Sequence, residues 1–483
     1  MSSNVTSEKT LSGYKWNGAK PIPFFVVLFI FAGLWFVDVP SGLNIKSWHL
    51  FVIFLSTIIG LIIKPLPMGA MAIFAVCACT LTNTLPLGQV LSSFGSAIVW
   101  LIVSAFLLAR GFIKTGLGCR IAYYFITFLG KSTLGLAYGL TITELLFAPG
   151  TPSNTARGAG IVFPIINGLN AEYKSNVKDG TQRRLGSYLI KLLFQVNVIT
   201  SAMFVTATAG NPLVVSIVAS HGIQLDWGTW ALACSVPGII NLILLPFLLY
   251  IIFPPEIKST PQAPSFAREK LKQLGPMSVN EIIMMFVFVF LLTLWIFGEK
   301  YGINATTAGI TGLFILLVCG VLNWDDIIKE QNAWDTFIWM AVLIMLSMKL
   351  SDLGVTDWFG NFVKTLVVGK SWIIVLTIIG LLYYYAHYMF ASMTAHISAL
   401  YATFFVVCLT AGAPPIVTAL LLGVASSLSA GLTHYGTGSA PVYFGSNYLT
   451  LSEWWFYGFI VSVINIIIWI LFGGIWWKML GYW

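Results

Sequence analysis

The sequence has 483 residues, of which 58% are hydrophobic and 9% are charged, and its mean hydropathy is +0.88. This composition excludes a water-soluble globular protein, because too few polar residues are present to cover its surface. The net charge of +8 is therefore interpreted as a sign of membrane sidedness and not of nucleic-acid binding. The first twenty residues lack the apolar core of a signal peptide, and we expect an N-terminal segment, residues 1–21, on the cytoplasmic side.

Apolar runs long enough to cross a bilayer as helices recur along the chain. The predicted spans are 22–38, 47–63, 66–84, 91–113, 187–207, 229–252, 280–297, 305–322, 333–352, 415–432 and 454–478. The sequence thus predicts an all-α polytopic membrane protein with about eleven transmembrane helices. The six cysteines are scattered among apolar residues, and the sequence predicts neither a metal site nor a cofactor.

Two longer apolar stretches, 133–167 and 371–405, are interrupted by polar residues at their centres. We predict that each is a re-entrant hairpin that enters and leaves the membrane on one side. Two further segments, 187–222 and 415–447, contain runs of small, hydroxyl and proline residues and are predicted to be helices broken inside the membrane.

The distribution of basic residues predicts the orientation. With the N-terminus in the cytoplasm, eighteen of the 25 Lys and Arg lie on cytoplasmic segments, six lie outside, and Arg157 lies within the first hairpin. The segment 253–279 is then a cytoplasmic linker, and the C-terminus is extracytoplasmic. We predict a multi-pass protein of the cell membrane, in contact with the lipid bilayer and with no nucleic-acid partner.

The two halves of the chain, 22–252 and 280–483, repeat each other. Trp100 and Trp339, and likewise Ser153 and Ser392, are separated by 239 residues, so that SNTAR (153–157) and SMTAH (392–396) are equivalent. Because the two hairpins open to opposite sides in the predicted orientation, the repeats have inverted topology. Inverted repeats with discontinuous helices indicate a secondary transporter whose site lies near the middle of the membrane.

A half-helix that begins inside the membrane points its free N–H groups and its positive dipole end at the break, and so favours an anion. The hairpin tips and the broken helices supply the candidate substrate-binding residues. These are Ser153, Asn154, Thr155, Thr208, Asn211, Pro212, Ser392, Met393, Thr394, Thr437, Ser439 and Pro441. Either motif alone could equally be explained by ordinary helix capping. The occurrence of both motifs at equivalent hairpin tips favours substrate binding.

Each motif also ends on a basic residue, Arg157 in the first and His396 in the second. A charge at membrane depth costs several kcal/mol unless it is paired or hydrated. Arg157 either reaches the membrane surface or has a role at the site, and Glu144 is its candidate partner. His396 either carries charge or forms a hydrogen bond in a polar core. Lys191 is expected to reach the cytoplasmic interface.

The sequence resembles the divalent anion/sodium symporter (DASS) family, within it the citrate/succinate antiporter branch. The segments PSNTARGAGIVFP (152–164), SAMFVTATAGNP (201–212), WMAVLIMLSM (339–348) and AHYMFASMTAH (386–396) carry the resemblance, which covers nearly the whole chain. It implies transport of di- and tricarboxylates such as succinate, malate, fumarate, 2-oxoglutarate and citrate. It also implies a homodimer in which a scaffold, formed by the first four spans and 280–352, holds transport domains that move like elevators. Residues 114–130 and 353–369 would be the arms that join the two.

The chain departs from the sodium-coupled members of this family at three positions. Met393 stands where the second motif has asparagine, and Arg157 and His396 stand beside the places that would hold Na⁺. We therefore expect Arg157 and His396 to substitute for the cations. Because a fixed charge cannot leave with the substrate, an empty carrier would hold an unpaired charge, which predicts sodium-independent antiport.

The alternative is a Na⁺- or H⁺-coupled importer of the same fold, with His396 as a possible proton carrier. An enzyme is not predicted, because no carboxylate pair or histidine cluster has a usable spacing. An anion channel would have no need of two such motifs.

Overall fold

The computed structural model describes residues 18–367 and 369–483, and the regular secondary structure of those residues is helical apart from one isolated bridge between Ser132 and Ser259. Residues 1–17 of the predicted N-terminal segment lie outside this description. Among the described residues, eight helices are long and apolar enough to cross a membrane: Ile45–Ile63, Ala97–Thr115, Trp227–Ile252, Val279–Tyr301, Gln331–Asp352, Trp372–Met389, Met393–Thr410 and Leu451–Met479. Shorter apolar helices are Pro21–Trp35, Met68–Leu81, Leu117–Leu129, Gly210–Ala219, Ala305–Val318 and Pro415–Gly431. The predicted all-α polytopic fold is confirmed, while the number of spans stays a prediction.

Polar residues set the beginnings of several of these helices. The side chains of Asn44, Asp226, Ser278, Asn304 and Thr450 each accept a hydrogen bond from a backbone N–H in the first helical turn. Such caps satisfy backbone donors that have no partner within the helix. At Ser278 and Thr450, a glutamate three residues later completes a capping box.

The two hairpins have matching secondary structure. The first arms are the helices Thr133–Phe147 and Trp372–Ala386, each followed by a short 3₁₀ turn. The second arms begin with one α-helical turn, Asn154–Arg157 or Met393–His396, and continue through a π-helical turn into α-helix. All of these bounds are repeated 239 residues later except the last, Glu172 and Thr410, which differ by 238, and this supports the repeat at the level of structure. We use the names first and second hairpin for 133–172 and 372–410.

Two helices are interrupted beside the hairpins. Gly186–Met203 ends before an irregular stretch, and a new helix begins at Gly210. In the second half, Pro415–Leu428 ends before another stretch without α-helix, and Ala440–Gly445 follows it. We call 204–209 the first break and 429–439 the second break. Both fall within the segments predicted to be broken helices.

The segment 253–279 contains more structure than the predicted linker. Helix Ala263–Leu274 lies within it, and Ala263 and Ala267 are fully buried. This helix packs against Leu117–Leu129, which lies within the predicted arm. Arg120 secures the contact by an ion pair with Glu281, 2.6 Å from Nε to Oε1, and by a hydrogen bond to the carbonyl oxygen of Gly275.

Candidate functional site

A cavity of about 680 Å³ lies where the two hairpin tips approach each other. This volume is within the range of small-molecule sites. The lining residues are Gly18, Lys20, Lys64, Pro65, Leu66, Pro67, Met68, Phe106, Pro152, Ser153, Asn154, Thr208, Ala209, Ala391, Ser392, Met393, Thr394, Thr437 and Gly438. Of the predicted site residues, the structure therefore brings together Ser153, Asn154, Thr208, Ser392, Met393, Thr394 and Thr437.

The serine of each motif is the N-cap of a half-helix. Ser153 Oγ accepts a hydrogen bond from Ala156 N at 3.1 Å, and Ser392 Oγ accepts one from Ala395 N at 3.4 Å. The helix that follows each cap therefore directs its N-terminus at the cavity. Two such termini together carry roughly one positive elementary charge, which favours an anionic ligand.

Around the cavity, the hairpin tip of each repeat packs against the broken helix of the other repeat. The tip of the first hairpin contacts the second break, where Asn154 Nδ2 donates a hydrogen bond to Thr437 Oγ1 at 2.7 Å. A methyl group at Gly438 would lie 2.4 Å from Thr155 Oγ1, so a side chain there would displace Thr155 or the break. The tip of the second hairpin contacts the end of the first break, and a methyl group at Gly210 would lie 2.6 Å from Ile397 Cδ1. Each tip is thus supported by the other repeat.

Five predicted site residues are not among the residues that line the cavity: Thr155, Asn211, Pro212, Ser439 and Pro441. Asn211 is buried, and its Nδ2 donates to the carbonyl oxygens of Ser201 and Phe204 at 2.7 and 2.8 Å. Ser439 Oγ donates to Asn197 Oδ1 at 3.1 Å. Asn211 and Ser439 thus hold neighbouring parts of the chain together, and a role of all five residues in substrate binding stays a prediction.

Arg157 is fully buried and has a carboxylate partner. Its Nε lies 3.0 Å from Glu144 Oε1, and its Nη2 donates to Ser201 Oγ at 3.0 Å. Nη1 donates to the carbonyl oxygens of Ala207, at 2.7 Å, and Thr151. The guanidinium thus joins the first hairpin to the first break through four oxygen atoms. The pairing with Glu144 is confirmed, and the expectation that Arg157 lacks a partner in an empty carrier is wrong for this structure.

His396 is also fully buried, but it faces aromatic and histidine side chains and no carboxylate. Its ring stacks on that of Tyr383, with 4.2 Å between ring centroids, and its Nδ1 lies 3.1 Å from Nδ1 of His387. His387 Nε2 lies 3.0 Å from the carbonyl oxygen of Gly436 and must therefore carry a hydrogen when the ring is neutral. His396 Nε2 has no hydrogen-bond partner among the described residues.

Several important residues lie outside the sequence-based prediction. Asn197 Nδ2 donates to Glu144 Oε1 at 2.6 Å and to the carbonyl oxygen of Asn154 at 3.0 Å. The signal for Asn197 is a row of polar residues in an otherwise apolar helix, which also includes Lys191 and Gln195. Lys191 is fully buried and donates to the carbonyl oxygen of Trp454 at 2.9 Å, and its expected position at the cytoplasmic interface stays a prediction.

Comparison with known proteins connects this chain with membrane transport. A putative malate transporter of Bacillus subtilis (strain 168), YflS, is 50% identical over 480 residues, which cover 99% of this chain and 100% of that protein. The chloroplastic dicarboxylate transporter 1 of Arabidopsis thaliana is 47% identical, with coverage of 100% and 87%. The L-tartrate/succinate antiporter of Escherichia coli O6:K15:H31 is 35% identical, with coverage of 91% and 94%.

The crystal structure of the YdaH transporter of Alcanivorax borkumensis matches with a TM-score of 0.53 and covers 95% of this chain and 99% of that one. At 14% identity this likeness shows a shared fold. Residues 19–483 match the family described as the sodium:sulfate symporter transmembrane region. The chain therefore belongs to the divalent anion/sodium symporter family and is a multi-pass membrane transporter, not an enzyme.

Proposed function

We propose that this transporter exchanges di- or tricarboxylates across the membrane without sodium. The observation that carries the proposal is the meeting of two capped half-helices at one cavity, because two separated positive helix ends fit two carboxylate groups of one molecule. Relatives named for malate, dicarboxylates and tartrate/succinate support this substrate class. Succinate, malate, fumarate, 2-oxoglutarate and citrate are the candidate substrates.

Sodium independence is supported by the surroundings of Arg157. Its guanidinium occupies a cage of oxygens from Glu144, Thr151, Ser201 and Ala207. Carboxylate, hydroxyl and carbonyl oxygens are the ligands that a hard metal cation would use. The Arg157 guanidinium therefore uses the oxygen atoms that a mobile cation such as Na⁺ would need as ligands. His396 lies at the equivalent position of the second repeat.

The preference for exchange needs a different physical reason from an unpaired arginine, because Glu144 compensates Arg157. The two positive helix ends and the hydroxyl and amide donors of the tips remain without an anion in an empty carrier. Moving them past an apolar surface would require desolvation without compensation. A bound dicarboxylate removes this penalty, so that the loaded carrier crosses faster than the empty one.

The larger assembly and movement belong to the same proposal. We infer that the chain forms a homodimer and that both hairpins move together, by an elevator motion, against the scaffold formed by the first four spans and 280–352. The cavity supports this division, since its walls combine hairpin tips with residues of the first helices, including Met68 and Phe106. We place the N-terminus in the cytoplasm and the C-terminus outside the cell membrane.

Counterflow in proteoliposomes tests the function. Labelled succinate or malate should enter vesicles only when an unlabelled dicarboxylate is inside, and replacing Na⁺ by K⁺ should leave the rate unchanged. Competition by the candidate carboxylates would then identify the preferred substrate. Strong sodium-driven uptake into empty vesicles would refute sodium-independent exchange.

A proton-coupled importer is the second candidate, and the histidine pair favours it. Among the described residues no hydrogen-bond partner of the buried His396 Nε2 is found, so a proton could bind there while His387 accepts the Nδ1 hydrogen. In that case an inward pH gradient should drive uptake into empty vesicles. His396→Gln should abolish this driven uptake and leave counterflow, whereas equal loss of both would assign His396 to substrate binding or folding.

A further inference from the structure

Two lysines that belong to neither hairpin line the cavity. Lys20 precedes helix Pro21–Trp35, and Lys64 ends helix Ile45–Ile63. Both are exposed, and neither forms an ion pair within 18–367 and 369–483. No aspartate or glutamate is among the lining residues described above. The lysines are therefore free to face an anion in the cavity.

The backbone of Lys20 is joined to the turn that follows Lys64. Lys64 has a φ of 52°, a left-handed conformation that is uncommon for residues other than glycine. Its N–H donates to the carbonyl oxygen of Gly60 at 2.9 Å, and the next residue, Pro65, accepts a hydrogen bond from Lys20 N at 2.9 Å. The stretch from Lys64 to Met68 contains two prolines, which restrict it further. The chain thus ties the two positively charged residues to one turn.

The remaining side chains of the cavity wall carry no full charge. Ser153, Asn154, Thr394 and Thr437 are neutral, and Arg157 is fully buried beside Glu144. Apart from the helix ends, the positive charge that faces the cavity therefore comes from Lys20 and Lys64. These lysines belong to the first two helices and not to the hairpins that hold the motifs.

We propose that Lys20 and Lys64 form an anion-binding subsite at the mouth of the cavity, which captures a carboxylate of the substrate before the hairpin tips bind it. The proposal rests on the proposed function, carboxylate exchange. Because the subsite stays with the first two helices when the hairpins move, the substrate meets it on one face of the membrane and not on the other. It therefore makes the apparent affinity of the transporter different on its two faces.

The test compares right-side-out and inverted membrane vesicles that carry the full-length protein, with saturating unlabelled malate inside and labelled malate outside. Lys20→Gln/Lys64→Gln should raise KM roughly threefold to tenfold on the face where these lysines lie, with little change in maximal rate. KM on the opposite face should stay the same. Raising the KCl concentration should raise the wild-type KM on the lysine face, and this response should be smaller in the variant.

Two control variants make the result specific. Lys46→Gln removes an exposed lysine at the other end of helix Ile45–Ile63, outside the cavity lining, and should change neither KM. Lys20→Arg/Lys64→Arg keeps both charges and should retain the wild-type KM. An unchanged KM in the glutamine variant, an equal loss on both faces, or an equal loss in the arginine variant would overturn the subsite. Absence of exchange in the wild type would instead overturn the proposed function, and the subsite with it.

Discussion

The equivalent cores of the two hairpins use the same framework for different chemistry. In the first repeat, Glu144 accepts a hydrogen bond from Asn197 at 2.6 Å and pairs with Arg157. The residue 239 positions after Glu144 is Tyr383, which bonds Ser426 at 2.7 Å and stacks on His396. The first core thus holds a buried ion pair, whereas the second holds a stack of neutral or weakly basic rings.

This difference shows what the repeat keeps and what it changes. In both cores, a residue of the first hairpin arm contacts the basic residue of the motif and a polar residue of the adjoining helix. The helical bounds and the N-caps are also kept. The charge is not kept, because only the first core permanently contains both a guanidinium and a carboxylate. We therefore expect equivalent substitutions in the two cores to have unequal effects.

The largest difference in stability between the two cores should come from replacing Arg157 and His396. Arg157→Gln leaves Glu144 buried without its cation, and we expect a loss of about 3–5 kcal/mol in the free energy of unfolding, together with loss of exchange. His396→Gln removes a ring stack and one hydrogen bond, and we expect a loss of about 1–2 kcal/mol. Denaturation of both purified variants in the same detergent measures the difference.

A double variant separates the charge from the shape of Arg157. Glu144→Gln together with Arg157→Gln removes both charges, and it should recover part of the stability that Arg157→Gln loses. If Arg157→Gln alone were as stable as the wild type, the ion pair would not stabilise the first core.

The second prediction concerns the polar residues of the adjoining helices. Asn197→Ala removes the hydrogen bonds to Glu144 and to the backbone of Asn154, and leaves Ser439 without its acceptor. We expect a loss of about 2–4 kcal/mol, because hydrogen bonds to a buried charge are the stronger ones. Ser426→Ala removes the bond to the Tyr383 hydroxyl and should cost about 1 kcal/mol. The free energies of unfolding of the two variants test this order, and equal losses would contradict it.

The sequence predicts the elements of the fold better than it predicts the partners of the site residues. Apolar runs and capping residues are local features, and they place the helices within a few residues. The constant offset of 239 residues identifies the equivalent hairpin tips, because the two repeats form the same hairpin. Helix Ala263–Leu274 is missed because the prolines and basic residues of its segment favour a linker, although its own residues are amphipathic with a helical period.

The site is predicted in part for the same reason. Ser153, Asn154, Ser392 and Thr394 lie at the hairpin tips, and a run of polar residues is easily recognised in an apolar sequence. Whether Asn211 points into the cavity or back to its own chain depends on the path of the first break, which sequence spacing does not give. Lys20 and Lys64 lie at the ends of predicted spans, where basic residues ordinarily mark the membrane surface.

The smallest effect on stability should come from a substitution that makes the tip of the second hairpin resemble that of the first. Met393 lines the cavity at the position equivalent to Asn154. Thr208 also lines it, and as the first residue of TAGNP (208–212) it corresponds to Thr437, the first residue of TGSAP (437–441) in the other repeat. Met393→Asn should therefore reproduce the bond between Asn154 and Thr437, and stabilise the protein by about 1 kcal/mol. Exchange should remain independent of sodium, because Arg157 still occupies its cage of oxygens. Met393→Leu is the matched control, and sodium-stimulated transport by Met393→Asn alone would show that the second tip, and not Arg157, decides the coupling.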